Sequence, residues 1–458
     1  MYKIFDWVSN NRKLAIFLAV LLIFILATGI FVFLSDTNRA RSINKSLPMQ
    51  GTTLTEDLTW WITDEESANT EALNAVIAGF KVKYPTITIK IENKKGELAM
   101  LEEFLSNPDN QPDLMTINSK DAPFYQKYSA PNQYLKDKVL ADYLDRSVET
   151  IKNNSVYSGE VYGVPLHVDS LQMYVNKDLL NNLSGAKIAA ADWDVLKAQA
   201  ANFDYSKNQS IIALGGTSNV IKNYEDIIGA MMVQKGIYLD AKNKEIDDNS
   251  LAQVLKDYNY FKQYLKVNSS DFDAFKQGKS LYYIDYFSAG ANLRLDSQSL
   301  NFTIADLPTY SSGNKISHAK FTTTIAHKDA EYYGDDFKRV VDDFVYYLST
   351  ESAQRIFADA TKFPSANKDI ALEQYNTTND EDNRRRFFNQ ALVARAIIPS
   401  CAVRYTKTMN ELLRSVQTKE IDPSVNSVQE VVSKFKGQIT DTIYNQNVCL
   451  PFEFNLER

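Results

Sequence analysis

Apolar and polar positions recur with different periods along the 458 residues, and each period predicts a different kind of segment. The first apolar stretch has no period at all. From Leu14 to Leu34 the chain reads LAIFLAVLLIFILATGIFVFL, 21 residues without a charge. As a helix rising 1.5 Å per residue, that run spans a hydrocarbon core of ~30 Å. It predicts a transmembrane anchor over 14–34 behind a short tail, 1–13. Ala27-Thr28-Gly29 has the small-x-small form of a signal-peptide cleavage site, yet the apolar run continues from Ile30 to Leu34 beyond it. An anchor uses those residues and a cleaved leader does not. Basic residues flank the run on both sides (Lys3, Arg12 and Lys13; then Arg39, Arg41 and Lys45), so charge does not set the orientation. Size does: the short tail is expected in the cytoplasm and the bulk of the chain outside.

Residues 35–56 are polar and without periodicity, which predicts a stalk linker. Structure is expected to begin at Leu58-Thr59-Trp60-Trp61-Ile62, a β-type run. Leu73, Val76, Ile77, Phe80 and Tyr84 then recur at helical spacing behind a cap at Ser67 or Asn69, and Pro85 ends that helix. Ile87 to Ile91 alternates strictly, a half-buried strand. A short helix over 98–105 and the apolar run Leu114 to Ile117 complete a β-α-β-α-β order, which predicts a mostly parallel sheet covered by helices. Short strands are expected at 162–165, 173–175, 211–214 and 281–284. Helices are expected at 224–235, 251–266, 336–348, 352–359, 404–414 and 428–444. No internal repeat is present, and two α/β lobes suit the length better than one large sheet.

Composition narrows the chemistry. The formal net charge is -7, with 23% charged residues and no basic excess, so nucleic acid is not an expected partner. Three histidines and two cysteines leave little material for a metal centre, and neither a metal nor a cofactor is expected. Cys401 and Cys449 both fall in the part expected outside, where a disulfide is permitted but its geometry is not readable. The 26 Tyr and 24 Phe supply many flat rings for cores or for stacking.

One stretch carries most information: Val161-Tyr162-Gly163-Val164-Pro165-Leu166-His167-Val168-Asp169, continuing through Leu171 to Asn176-Lys177-Asp178-Leu179-Leu180. Gly163 and Pro165 break a strand, His167 and Asp169 sit between two apolar runs, and Asn176 opens a helix. This YGVP-x3-D-x-L-x4-NKDLL pattern resembles the extracellular solute-binding proteins of ABC importers, of the maltose-binding and multi-sugar-binding type. Other short stretches agree in order: Leu58 to Trp61 with KYPTITIKIE, Gln111 to Leu114, Asp273 to Tyr283, Phe337 to Phe357, and Phe363-Pro364-Ser365-Ala366. Together they span nearly everything after the stalk. The chain departs from the pattern in its apolar anchor, in Lys362-Phe363, where a small residue is usual, and in the bulky pair Tyr282-Tyr283.

The resemblance implies a two-lobed, periplasmic-binding-protein-like α/β fold with crossover hinge segments. Lobe 1 is expected to comprise 57–166 and 320–366, and lobe 2 to comprise 167–319 and 367–458. It implies a receptor that closes on a small solute, a carbohydrate, and hands it to an ABC permease and ATPase. No Walker-type loop occurs, so those must be separate chains. Candidate ligand-binding residues are Asp64 and Glu65 after the first strand, Asn118 and Ser119 after the third, and His167 and Asp169 in the motif. Thr217 follows the Gly215-Gly216 turn, Asp285 and Tyr286 follow the 281–284 strand, and Tyr405 lies in a late helix. Carboxylates and amides would take sugar hydroxyls, and Tyr286 would stack on a sugar ring. Each has a plainer reading as a cap, a turn or core packing. Two other functions remain open from the residues: a sensor or adhesin ectodomain acting through a partner, or a glycoside-processing enzyme using carboxylates among Asp64, Glu65, Asp169 and Asp285.

Overall fold

The computed structural model divides the chain into two units, Met1–Thr53 and Leu54–Arg458. It describes residues 57–107, 110–183, 189–207, 209–217, 220–239, 245–265, 270–296, 299–311, 313–328, 334–417 and 425–444, all in the second unit. The apolar run at 14–34 and the stalk at 35–56 lie outside the described residues. Among the described residues no helix is long and apolar enough to cross a membrane.

The β-branched and aromatic run at the start forms β1 (Asp57–Thr63), followed by α1 (Thr70–Lys81), β2 (Thr88–Lys94), α2 (Gly96–Ser106) and β3 (Leu114–Asn118). Short strands β4 (Ser129–Ala130) and β5 (Gly163–Val164) lead to β6 (Asp169–Ser170), β7 (Gln172–Asn176) and β8 (Ser210–Ile212). Helices α3 (Tyr224–Gln234) and α4 (Asp248–Tyr260) precede β9 (Ser280–Asp285), α5 (Phe287–Asp296) and β10 (Phe302–Ala305). The chain then returns through β11 (Ala319–Lys320) and β12 (Thr322–His327) to α6 (Asp335–Leu348), α7 (Glu351–Thr361) and α8 (Lys368–Thr377). It ends in α9 (Ala402–Gln417) and α10 (Val425–Tyr444). The helices foreseen from apolar spacing are present. Leu73, Val76, Ile77 and Phe80 of α1 are buried together, and Tyr84 stacks on Phe80 at 4.7 Å. Asn69 does not cap α1 with its side chain; its amide donates to Glu66 instead.

Two sheets organise the molecule. The first has the order β2-β1-β3-β12-β4, with β5 also paired to β12, and the second the order β8-β9-β7-β10. Neither is mostly parallel, contrary to the sequence expectation. β1 pairs in parallel with β2 and β3, and β8 with β9, but β12 runs antiparallel to β3, as β7 does to β9 and β10. The cause is long-range: strands delivered by crossovers arrive from the opposite lobe and enter the sheet reversed, which no local pattern records. A two-stranded ribbon, β6 with β11, joins the two halves, pairing Asp169 with Lys320 and Ser170 with Ala319.

Each sheet has its own core. Trp60 and Trp61 lie on opposite faces of β1 and both are fully buried. Trp60 packs edge-on against Phe344 of α6 and donates to the Thr116 hydroxyl at 2.9 Å. Trp61 belongs with Met100, Phe104, Met115, Phe124 and Cys401. Cys401 is disulfide-bonded; Cys449 lies outside the described residues. The second core gathers Met173, Val175, Ile212, Tyr282 and Ile284 from the sheet with residues of α3, α4, α9 and α10. Burying each such side chain contributes about 1.5–3 kcal/mol, which is what holds helices that propensity alone would leave marginal.

Candidate functional site

The two sheets bring several strand ends and crossover segments to one region. From the first sheet come the ends of β1 and β3; from the second come the end of β9 and the start of α3; between them runs the β6–β11 ribbon.

Lys120, two residues past β3, reaches α3. Its ammonium lies 2.5 Å from Asp226 Oδ1 and 3.8 Å from a Glu225 oxygen. The Tyr286 hydroxyl lies 2.8 Å from Asp226 Oδ2 and 3.0 Å from His318 Nδ1. The Lys320 ammonium sits over the Tyr286 ring, 4.4 Å from its centroid. Burial disfavours the Asp226 carboxylate, but Lys120, His318 and the Tyr286 hydroxyl outweigh it and hold its pKa below the usual range. His318 is buried and lowered to about 4, because desolvation outweighs the attraction of Asp226. Burial opposes the Lys120 charge too, but Asp226 and Glu225 prevail and raise it.

Asp169 and Asp285 are both buried, and both serve the start of α5. Asp169 Oδ1 accepts from the Ser170 and Phe287 amides at 2.9 and 2.7 Å, and Oδ2 from the Ser288 amide at 3.3 Å. Asp285 accepts from the Tyr286 amide at 2.7 Å, from Asn223 Nδ2 at 2.6 Å and from the Tyr283 hydroxyl. A helix start leaves its first amides without intrahelical partners, and two carboxylates there also meet the positive end of the dipole. Burial raises the pKa of each, against hydrogen bonds and the nearby Lys320 charge.

The remaining candidates separate. Asp64 is exposed and accepts from Asn93 Nδ2 at 3.1 Å; the Glu65 side chain lies outside what is described. Asn118 Oδ1 accepts from the Lys120 amide, and Ser119 exchanges bonds with the Phe321 backbone. Thr217 is half-buried, and its carbonyl accepts from the Val220 and Ile221 amides. Its turn begins at Gly215, whose φ of +79° and close approach to the Lys262 backbone admit no side chain. Tyr405 is buried in the second core, with its pKa raised by burial and by Glu225 and Asp226. His167 is buried against Phe357 and Phe363 and lies 3.8 Å from Glu66 Oε1.

The geometry therefore brings Asp169, Asp285 and Tyr286 together, with Ser119 and Asn118 beside Lys120, and leaves Asp64 apart at the surface. Sequence reading missed Lys120, Glu225, Asp226, His318, Lys320 and Glu66. Lys120 was within reach of the strand-end argument, one residue beyond Ser119. Glu66 is buried two residues from Asp64, accepting from Thr322 Oγ1 at 2.6 Å and Asn69 Nδ2 at 3.0 Å. Among the described residues no cluster of His, Cys, Asp and Glu is arranged to hold a metal ion. The region holds a shielded ion pair, a tyrosine hydroxyl bonded to Asp226 beside His318, and two buried carboxylates bonded to backbone amides.

A family model described as bacterial extracellular solute-binding protein matches residues 75–383. A Brucella abortus (strain 2308) relative, whose name records binding but no ligand, is 40% identical over 75 residues; the match spans 16% of this chain and only 16% of that relative. Among solved structures, the cyclic alpha-maltosyl-1,6-maltose binding protein from Arthrobacter globiformis superposes with a TM-score of 0.68 at 15% identity, covering 85% of this chain and 99% of the other. An ABC substrate-binding protein of Listeria monocytogenes in complex with cycloalternan gives 0.64 at 16% identity, with 85% and 99% covered. The Listeria monocytogenes maltose-binding periplasmic protein in complex with maltose gives 0.63 at 18%, with 84% and 98% covered. Identities this low carry the two-lobed α/β fold and nothing finer.

Proposed function

The chain belongs to the bacterial extracellular solute-binding protein family, and from that premise we propose that it captures a carbohydrate between its lobes and delivers it to a separate ABC permease and ATPase. The family is one of binding proteins, not of enzymes. The observation that carries the reading is the convergence of Lys120, Asp226, Tyr286, Asp285 and Asp169 where two sheets and their crossover ribbon meet. Ligands of open α/β sheets bind outside the carboxyl ends of strands, and β3 and β9 both end here. The saccharides named for the three structural neighbours support the carbohydrate assignment.

In this proposal lobe 1 comprises 57–166 and 320–366 and lobe 2 comprises 167–319 and 367–458. The 14–34 run anchors the chain, with 1–13 cytoplasmic and the lobes extracellular. In this reading Asn118, Ser119, Lys120 and Asp226 take solute hydroxyls. Tyr286 contributes its environment more than a free face, since Lys320 covers the ring.

A thermal-shift screen of the purified protein against mono- and oligosaccharides, with amino acids, peptides and polyamines included, tests the proposal. A saccharide is expected to raise the melting temperature progressively with its concentration. A response confined to amino acids, peptides or polyamines would replace the carbohydrate assignment, and no response to any solute would remove its support.

A further inference from the structure

Helices α9 and α10 bring the chain back to the point from which the pair sets out. α9 follows Cys401, and the last turn of α10 returns beside that residue. The Cys401 amide donates to the Thr442 carbonyl at 3.2 Å, and the Ser400 hydroxyl to the Ile443 carbonyl at 2.6 Å. A helix leaves its last carbonyls without intrahelical partners, and these two donors supply them. Between those points both helices face the second core, α9 through Tyr405, Met409 and Leu412, α10 through Val432, Ile439 and Ile443. Cys401 itself is 1% exposed and packs with Trp61 and Met115 in the other core. It is disulfide-bonded, and the sequence holds one other cysteine, Cys449, seven residues past Thr442. Seven residues reach up to ~25 Å, ample for the ~6 Å between bridged Cα atoms.

We infer that Cys401 is joined to Cys449, and that this bond locks the end of α10 to the start of α9, so that the second core is completed only after export. This rests on the extracellular assignment of the family. Helix ends fray, and here a covalent bond backs the two hydrogen bonds that hold the last turn. A cross-link around residues 402–448 also removes loop freedom from the opened chain, which disfavours separation of α10. The bond forms by exchange with a disulfide-bearing oxidant: two thiols become one S–S bond, and the oxidant leaves as two thiols. Such bonds persist outside the reducing cytoplasm.

The pairing is tested first. The purified full chain in detergent is alkylated in denaturant, before and after reduction, and its peptides are mapped by mass spectrometry. Cys401 and Cys449 are expected in one linked peptide pair, alkylated only after reduction. Alkylation of both without reductant, or a covalent dimer on a non-reducing gel, would overturn the pairing. Hydrogen exchange then compares oxidised wild type, wild type refolded with reductant present, and Cys449→Ser. Exchange in the last two turns of α10 is expected to rise about a hundredfold in both unlinked forms, with α1 of the first sheet unchanged. If Cys449→Ser fails to fold, reduced wild type decides. Equal protection of α10 in linked and unlinked forms, or an equal rise in α1, would overturn the lock. No saccharide is used, so the result is independent of the proposed solute.

Discussion

Asp271, at the first turn of a short helix, has its carboxyl raised to about 7 by burial and by the neighbouring Asp285. In an unfolded chain the same group titrates near ~3.9. Between those values the folded state holds a proton that the unfolded state has released. Its contribution to stability is therefore complete below about pH 4, falls as pH rises toward 7, and is constant above. Asp342, raised to about 6 chiefly by burial, adds in the same direction. Denaturant unfolding is expected to show the protein losing stability between about pH 4 and pH 7, by roughly 1.4 kcal/mol for each unit over which Asp271 stays protonated only when folded. Asp271→Asn should flatten much of that slope, leaving the part due to Asp342. An unchanged slope in the variant would place the effect elsewhere.

At the scale of elements, Asp169 and Gly163 show how the YGVP motif works. Asp169 closes the start of α5 with bonds to the Phe287 and Ser288 amides. Asp169→Asn keeps one acceptor oxygen and loses the charge, so the ligand-free protein is expected to unfold with about 1 kcal/mol less stability. Saccharide affinity lost with no change in melting temperature would instead assign Asp169 to the solute. Gly163 lies in β5 against β12. A Cβ there would stand 2.5 Å from Thr323 Oγ1 and 2.8 Å from Ile325 Cγ2, with the Thr324 carbonyl at 3.1 Å. Gly163→Ala is expected to push β5 off β12 and cost about 1–3 kcal/mol, read as a lowered melting temperature. The motif's glycine is thus a packing requirement between strands over 150 positions apart in the chain.

For the whole molecule, binding and stability are linked. A solute that binds only the folded state adds about 2.7 kcal/mol when present at a hundred times its dissociation constant. Melting temperature measured across saccharide concentrations should rise logarithmically with that slope, and a plateau would signal binding to the unfolded chain. The arrangement that makes this possible was partly legible in the sequence. Helical spacing marked α1, α3, α4, α6, α9 and α10 because an amphipathic helix carries its buried face in its own register. Strict alternation marked β2, and the resemblance marked the two-lobed fold. Short strands such as β4, β6 and β11 left no signal, because two residues have no period and exist only through their partners.

What the chain determined unaided is local: which segments are amphipathic, where an apolar run of anchor length lies, and which side chains follow strand ends. Asn118, Ser119, Asp169 and Asp285 were visible in that way because position after a strand is a property of consecutive residues. Only the tertiary structure decided what those side chains do. It turned Asp169 toward the amides of α5 and Asp285 toward the Tyr286 amide just before it, covered Tyr286 with Lys320, and carried Lys120 across to Asp226. Charge pairing and burial depend on distances between residues about a hundred positions apart, and those are set by crossovers and sheet order, which no window of sequence contains.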